Sequence, residues 1–340
     1  MSRLKLLTVS ELKNLVPTNT KEPRIGEFVQ LFNDSTPIYE QLLNLDVDHV
    51  IFGIPEHIGV FANSGKQGGE KAWSFGIQSF LNLRDNQKIH AERIAVLGHL
   101  DFKKEISKLD TLNPSKSSDI KKARGMVKKI DNEVSQLVHD IVKSGKKPII
   151  ISGGHHNAYG NLKGSSLALN QHINALNFDA HADFGPEDGR HNGNGFSYAF
   201  DEGFLDRYFI FGMHENYLPK HMAKVLGKLN KRIQFNTLED LMVRRKLKLR
   251  QERQRALEFI GNKAFGIELD CDVMANVPGV AMSPAGFTLN KMRELIYNCS
   301  RHKNARYFHI CGVAPELASK RQVEQTGKLI AYLISDFVRV

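Results

Sequence analysis

Short apolar runs recur along this chain, separated by longer segments of helical periodicity. That alternation marks a parallel sheet covered on both faces, because strands buried on two sides read as continuous apolar stretches. The runs predict strands at 49–54, 93–98, 148–152, 175–179, 208–212, 233–236, 264–269 and 306–311. Most are followed within a few residues by glycine or proline, which punctuate strand ends. Between them the spacing predicts a helix over 119–143, opening at Ser118 or Asp119 and closing at Ser144-Gly145. Another runs over 288–302 with Thr288 as N-cap. A last one over 325–338 sets Leu329, Ile330, Leu333, Ile334 and Phe337 along one face. Thr8-Val9-Ser10-Glu11 reads as a capping box for a short helix ending before Pro17. The expected fold class is α/β: three layers, α/β/α, around a mainly parallel sheet of roughly eight strands. Residues 1–45 are expected to form a helical extension and 46–340 one α/β domain, with no repeat or linker between.

The 340 residues carry a formal charge of +10, which favours acidic partners. Much of the excess lies in 121–129 and 244–255, where no aromatics interleave and no nucleic-acid module accompanies the lysines and arginines. These stretches read as solvated helix faces, and no nucleic-acid partner is expected. The three cysteines, Cys271, Cys299 and Cys311, form neither a CxxC pair nor a disulfide framework, so free thiols and a cytoplasmic setting are expected. No secretory h-region and no run of about 18 apolar residues occurs, so no membrane partner is expected either.

Chemistry gathers at strand ends, where open α/β sheets bind ligands. Gly153-Gly154-His155-His156 follows one strand, Asp179-Ala180-His181-Ala182-Asp183 a second, and Asp270-Cys271-Asp272 a third. Four carboxylates brought so close would repel one another unless divalent cations neutralised them. In extended backbone, residues two apart share a face, so Asp179, His181 and Asp183 could reach one site, as could Asp270 and Asp272. Carboxylate and imidazole donors without thiolate suit manganese.

These segments, with the final Ala-Pro-Glu-Leu, resemble the ureohydrolase family of arginases, agmatinases and formiminoglutamases, from about Val50 to the C-terminus. The resemblance implies an arginase-like fold and two Mn2+ per chain. His156, Asp179, Asp183 and Asp270 would ligate the first cation, His181 and Asp272 would complete the second, and Asp179 and Asp270 would bridge. It implies hydrolysis of a formimino or guanidino C–N bond by metal-bridged hydroxide, with Asp183 as acid–base group. The segments 278–284 and 190–197 are similar to the formiminoglutamase branch, which implies N-formimino-L-glutamate as substrate and glutamate and formamide as products.

Several positions depart from the family pattern. Gly312 stands where arginases have the glutamate that binds guanidinium. Asn192 stands where they have a proton-relaying histidine, with His191 beside it. His191 is therefore a candidate catalytic group, Asn192 and Asn194 are candidates for binding substrate, and His155 either supports the ligands from behind or is a packed imidazole. Two alternatives follow: a guanidino hydrolase releasing urea, and a metal-binding protein of this fold without catalysis. A single-zinc deacetylase fits poorly, since it has no use for the full carboxylate set. A small-molecule amidine or guanidino partner and a homo-oligomer are the remaining expectations.

Overall fold

The computed structural model describes residues 3–17 and 21–339. Among the described residues there are ten strands: β1 (Leu4–Leu6), β2 (Gln30–Leu31), β3 (His49–Ile54), β4 (Ile94–Leu100), β5 (Lys147–Ser152), β6 (Ile173–Phe178), β7 (Leu205–Met213), β8 (Ile233–Thr237), β9 (Phe265–Asp270) and β10 (Ala305–Cys311). They form one sheet in the order β1-β4-β3-β5-β10-β9-β6-β7-β8, with β2 also on β4. Every pairing is parallel except β1 on β4.

All eight expected strands are present. The two additional ones lie in the stretch expected to be a helical extension, which holds helices at Val9–Leu15 and Ile38–Asn44 but also gives the sheet β1 and β2. Residues 1–2 and 18–20 of that stretch lie outside the described residues. Along β5, Ile149 and Ile151 join one apolar cluster while Ile150 joins the other. The same alternation holds at Leu176 and Ala175 in β6, so the sheet has a core on each face.

The helix Ser117–Lys143 buries Val127, Ile130, Val134, Leu137, Val138 and Ile141 along one stripe. It packs on Ala158–Leu169, the helix that continues from the His155 turn. Two glycines of that helix make the approach possible. A Cβ on Gly160 would lie 2.7 Å from Val134 Cγ1, and one on Gly164 would lie 2.4 Å from the Ser135 carbonyl. The last helix runs over Lys320–Val338, starting earlier than its apolar stripe indicates because Ser319 and Gln322 form a capping box. The Thr8–Glu11 capping box and the Thr288 N-cap are both present. Cys271, Cys299 and Cys311 are buried and free. Among the described residues no helix is long and apolar enough to cross a membrane.

β5 and β6 are consecutive in the chain, yet β10 and β9 lie between them in the sheet. The carboxyl ends of these four strands therefore open onto one crevice, the position at which such sheets bind ligands.

Candidate metal centre

From β5 the chain passes through Gly153 and Gly154 into a tight turn at His155–Asn157. A Cβ on Gly153 would lie 2.1 Å from the Glu56 carbonyl oxygen, so only glycine lets the turn sit this deep. The turn aims His155 at the carboxylates. Its side chain is fully buried, with Nδ1 3.0 Å from Asp179 Oδ2, 2.9 Å from Asp183 Oδ2 and 3.7 Å from Asp270 Oδ2. On the other side, His181 Nδ1 lies 2.8 Å from Asp272 Oδ2 and 3.6 Å from Asp179 Oδ1.

Asp179 thus presents one oxygen to each histidine. Two groups of donor atoms result, His155–Asp179–Asp270 and Asp179–His181–Asp272. Within each group the atoms lie within 4.8 Å of one another. The loops are tied together from inside. The Ala180 N–H donates to Asp272 Oδ1 (3.2 Å), and the Asp272 N–H donates to Asp270 Oδ1 (3.0 Å).

The geometry that gathers these residues is not the extended alternation expected from their spacing. Beyond Phe178 the chain leaves the strand, and Asp183 takes up a left-handed conformation at φ +43°. That conformation in a non-glycine residue costs on the order of 1–3 kcal/mol and persists only where its surroundings impose it. Asp272 is likewise delivered by a short helical turn over Cys271–Val273.

The electrostatics are those of a site short of positive charge. Burial, then the neighbouring Asp272 and Asp179, pushes the Asp270 carboxyl well above its ordinary range. Burial and Asp179 raise Asp183 as well. Burial would raise Asp179 too, but contact with His155 and His181 outweighs it and holds this carboxylate below the ordinary range. Burial opposes the charge on His181, yet Asp179 and Asp272 push its imidazole up to about 12. Although His155 Nδ1 is within 3.0 Å of two carboxylates, neither ring nitrogen of His155 has a properly directed hydrogen bond. Convergent lone-pair donors, most of them buried and with both His155 nitrogens unpartnered, fit divalent cations.

Four of the expected positions need correcting or qualifying. His156, expected as a cation ligand, is turned away from the cluster. Its Nε2 lies 3.1 Å from Glu56 Oε1, and its ring packs so closely on Gly59 that a Cβ there would overlap Nδ1 at 2.0 Å. Adjacent side chains in a tight turn diverge, and His155 is the one that faces the carboxylates. His191, expected as a catalytic group, is buried beside Asp188 (Nε2 to Oδ1, 3.4 Å), and its Nδ1 accepts from the Gly193 N–H. Burial and then the nearby Arg124 push its imidazole down to about 4. It does not line the cavity at the cluster. Asn194, expected to bind substrate, has its carboxamide fully engaged. Its Oδ1 accepts from Arg190 and the His191 N–H, and its Nδ2 donates to the carbonyls of Pro186 and Gly189. Asn192 does line the cavity, while its Oδ1 accepts from the His155 N–H at 2.6 Å.

That cavity measures about 210 Å3 and is walled by Val60, Asn63, Val280, Ala281 and Gly312 above the cluster. Gly312 sits at φ +75°, where a Cβ would lie 1.8 Å from Asp270 Oδ1. No side chain fits there unless Asp270 moves. Glu316 does not replace the missing carboxylate, because its oxygens accept from the N–H groups of Gly69 (3.0 Å) and Lys71 (2.7 Å).

Two features escaped the sequence reading. Glu268, two residues before Asp270 on β9, is fully buried behind His155. A carboxylate inside an apolar strand was its visible signal. The other is Tyr217, whose ring stacks on His181 with centroids 4.7 Å apart. It comes from the loop after β7, and nothing local marked it.

The sequence profile of the Arginase family matches residues 47–339. A formimidoylglutamase of Streptococcus pyogenes serotype M12 is 28% identical over 198 residues, which cover 56% of this chain and 60% of the relative. One from serotype M3 is 30% identical over 163 residues, 46% of this chain and 49% of its own length. The chain thus spans about 60% or less of the length of these curated relatives. Among solved structures, formimidoylglutamase from Bacillus subtilis superimposes with a TM-score of 0.74 at 17% identity, over 94% of this chain and 92% of that one. Trypanosoma cruzi formiminoglutamase with Mn2+ gives 0.71 at 17% identity, over 94% and 99%. A hypothetical agmatinase from Burkholderia thailandensis gives 0.63 at 16%, over 86% and 85%. These structures share the fold.

Proposed function

We propose, from the premise that this chain belongs to the arginase family, that it is a two-cation hydrolase of linear amidine C–N bonds, with N-formimino-L-glutamate the favoured substrate. The observation that carries this reading is the pair of donor groups sharing Asp179. His155, Asp179, Asp183 and Asp270 would hold one cation, and Asp179, His181 and Asp272 the other. Manganese is the favoured ion, given the carboxylate and imidazole donors and the T. cruzi relative with Mn2+. When bound, the cations supply a water activated for attack near neutral pH.

The chain's own groups do the rest. The cavity walls would hold the planar amidine carbon over the cluster. Asp183, whose Oδ2 lies 2.9 Å from His155 Nδ1 at the cluster, is placed to take up a proton and carry it to the departing nitrogen. With glycine at 312, no extra carboxylate meets a guanidinium. This weakens the case for arginine-type substrates, since a charge-assisted contact is missing. The formimidoylglutamase relatives support the same preference.

A second reading, a cation-binding protein without turnover, is favoured only by Gly312. Product identification by NMR separates the two. The Mn2+-loaded chain is incubated with formiminoglutamate, arginine, agmatine and guanidinobutyrate. Formamide from the first is the expected result. Urea from any guanidino compound would overturn the substrate preference, and no product with both cations bound would favour the second reading.

A further inference from the structure

Behind His155, on the side away from the cavity, lies a buried polar chain contributed by three adjacent strands. Glu268 of β9 is fully buried at its centre. Its Oε1 accepts from the Tyr307 hydroxyl at 2.7 Å and from Asn161 Nδ2 at 3.4 Å. Its Oε2 accepts from His309 Nδ1 at 2.5 Å, and the Ser152 hydroxyl of β5 lies 2.7 Å from the other nitrogen of that ring. The same Oε2 lies 3.5 Å from His155 Nε2, a charge contact without hydrogen-bond alignment.

A carboxylate and an imidazole buried in a sheet are costly to keep there, and a hydrophobic pair of similar volume would serve packing as well or better. Their placement has a different consequence. A neutral imidazole has one N–H and one lone pair. His155 can offer Nδ1 to a cation only if the proton sits on Nε2, the ring nitrogen 3.5 Å from Glu268. We propose that Glu268, braced by His309 and Tyr307, is a positioning residue that fixes the tautomer and orientation of His155 as a cation ligand. This rests on the functional reading above. Carboxylates behind ligating histidines act in this way at metal sites, where their loss weakens cation affinity about 10–100-fold.

The test is Mn2+ binding by the full chain, read from the paramagnetic resonance of free Mn2+ during titration, with no dependence on turnover. Glu268→Gln keeps the shape and removes the charge. The expected result is that one Mn2+ equivalent weakens about 10–100-fold while the other is unchanged. Unchanged affinity for both would overturn the proposal, even if the cation-free variant melted earlier, because that pattern marks a purely structural network. Should Glu268→Gln fail to fold, His309→Gln keeps the carboxylate but loosens its brace. A smaller weakening of the same equivalent is then expected, and no weakening overturns the idea. Failure of the functional reading is distinguishable, since it would show in the unsubstituted chain as the absence of paired Mn2+ binding and would overturn both.

Discussion

The two histidines of the cluster are held in opposite ways. His155 is fully enclosed, with Glu268 behind it and the edge of the Phe196 ring 5.2 Å away between centroids. His181 keeps 35% of its side chain exposed and leans on Tyr217, itself 40% exposed, which stacks in turn on His214. The inner pole is set by close charge contacts inside a low-dielectric sheet, where they are strong and intolerant of change. The outer pole adds to its carboxylate contacts a ring stacking at the surface, worth about 0.5–1.5 kcal/mol and adjustable. Asp179 belongs to both, so a cluster fixed on one side and yielding on the other is coupled through a single carboxylate.

The largest expected effect comes from removing that coupling. Asp179→Ala should lose both Mn2+ equivalents and all turnover, as measured by metal analysis of the purified variant. Retention of one tightly held equivalent would show that the poles are independent. Next is the contrast between neighbours. His155→Ala should eliminate the inner equivalent and activity together. His156→Ala should keep both cations while losing about 1–3 kcal/mol of stability, because Glu56 loses a buried partner. If the two variants exchanged these behaviours, the assignment of His155 as the ligand would fail.

That neighbour pair marks the limit of what the sequence discloses. Strand runs such as 148–152 and 264–269 were legible because burial on both faces leaves a local apolar signature. Asp179, His181, Asp183, Asp270 and Asp272 were legible because their strand ends converge in any sheet of this class. The family resemblance pointed to His156, whereas the structure turns His155 to the carboxylates, since the choice depends on the direction of one tight turn. Strand β1 was hidden for another reason. Its three residues exist as a strand through pairing with β4 nearly a hundred residues away. Gly98 makes that pairing possible, because a Cβ there would lie 2.0 Å from the Lys5 carbonyl. Glu268 was marked only as a carboxylate inside an apolar strand, and Tyr217 not at all, because both reach the histidines through tertiary contacts.

A smaller effect on cations, though a large one on folding, is expected at Arg190, which secures the inner pole from below. Its guanidinium donates to both oxygens of buried Asp131 (2.9 and 3.1 Å) and to the His156 carbonyl (2.9 Å), pinning the turn that presents His155. Arg190→Ala leaves Asp131 buried and unpaired, at a cost of about 3–5 kcal/mol. Denaturant unfolding of the cation-free chain reads this, and a loss under about 1 kcal/mol would show that the turn does not depend on the pair.

The smallest effect tests the yielding pole. Tyr217→Ala removes the ring under His181 and leaves every carboxylate in place. If stacking alone positions that imidazole, the loss of about 0.5–1.5 kcal/mol corresponds to a two- to tenfold weakening of the outer Mn2+ equivalent. The inner equivalent should not change, and Tyr217→Phe should restore binding because it keeps the ring. Failure of Phe to restore it would assign the role to the hydroxyl instead. Equal weakening of both equivalents in the alanine variant would mean that movement of His181 is transmitted through Asp179 to His155, and that the inner pole is less rigid than its burial implies.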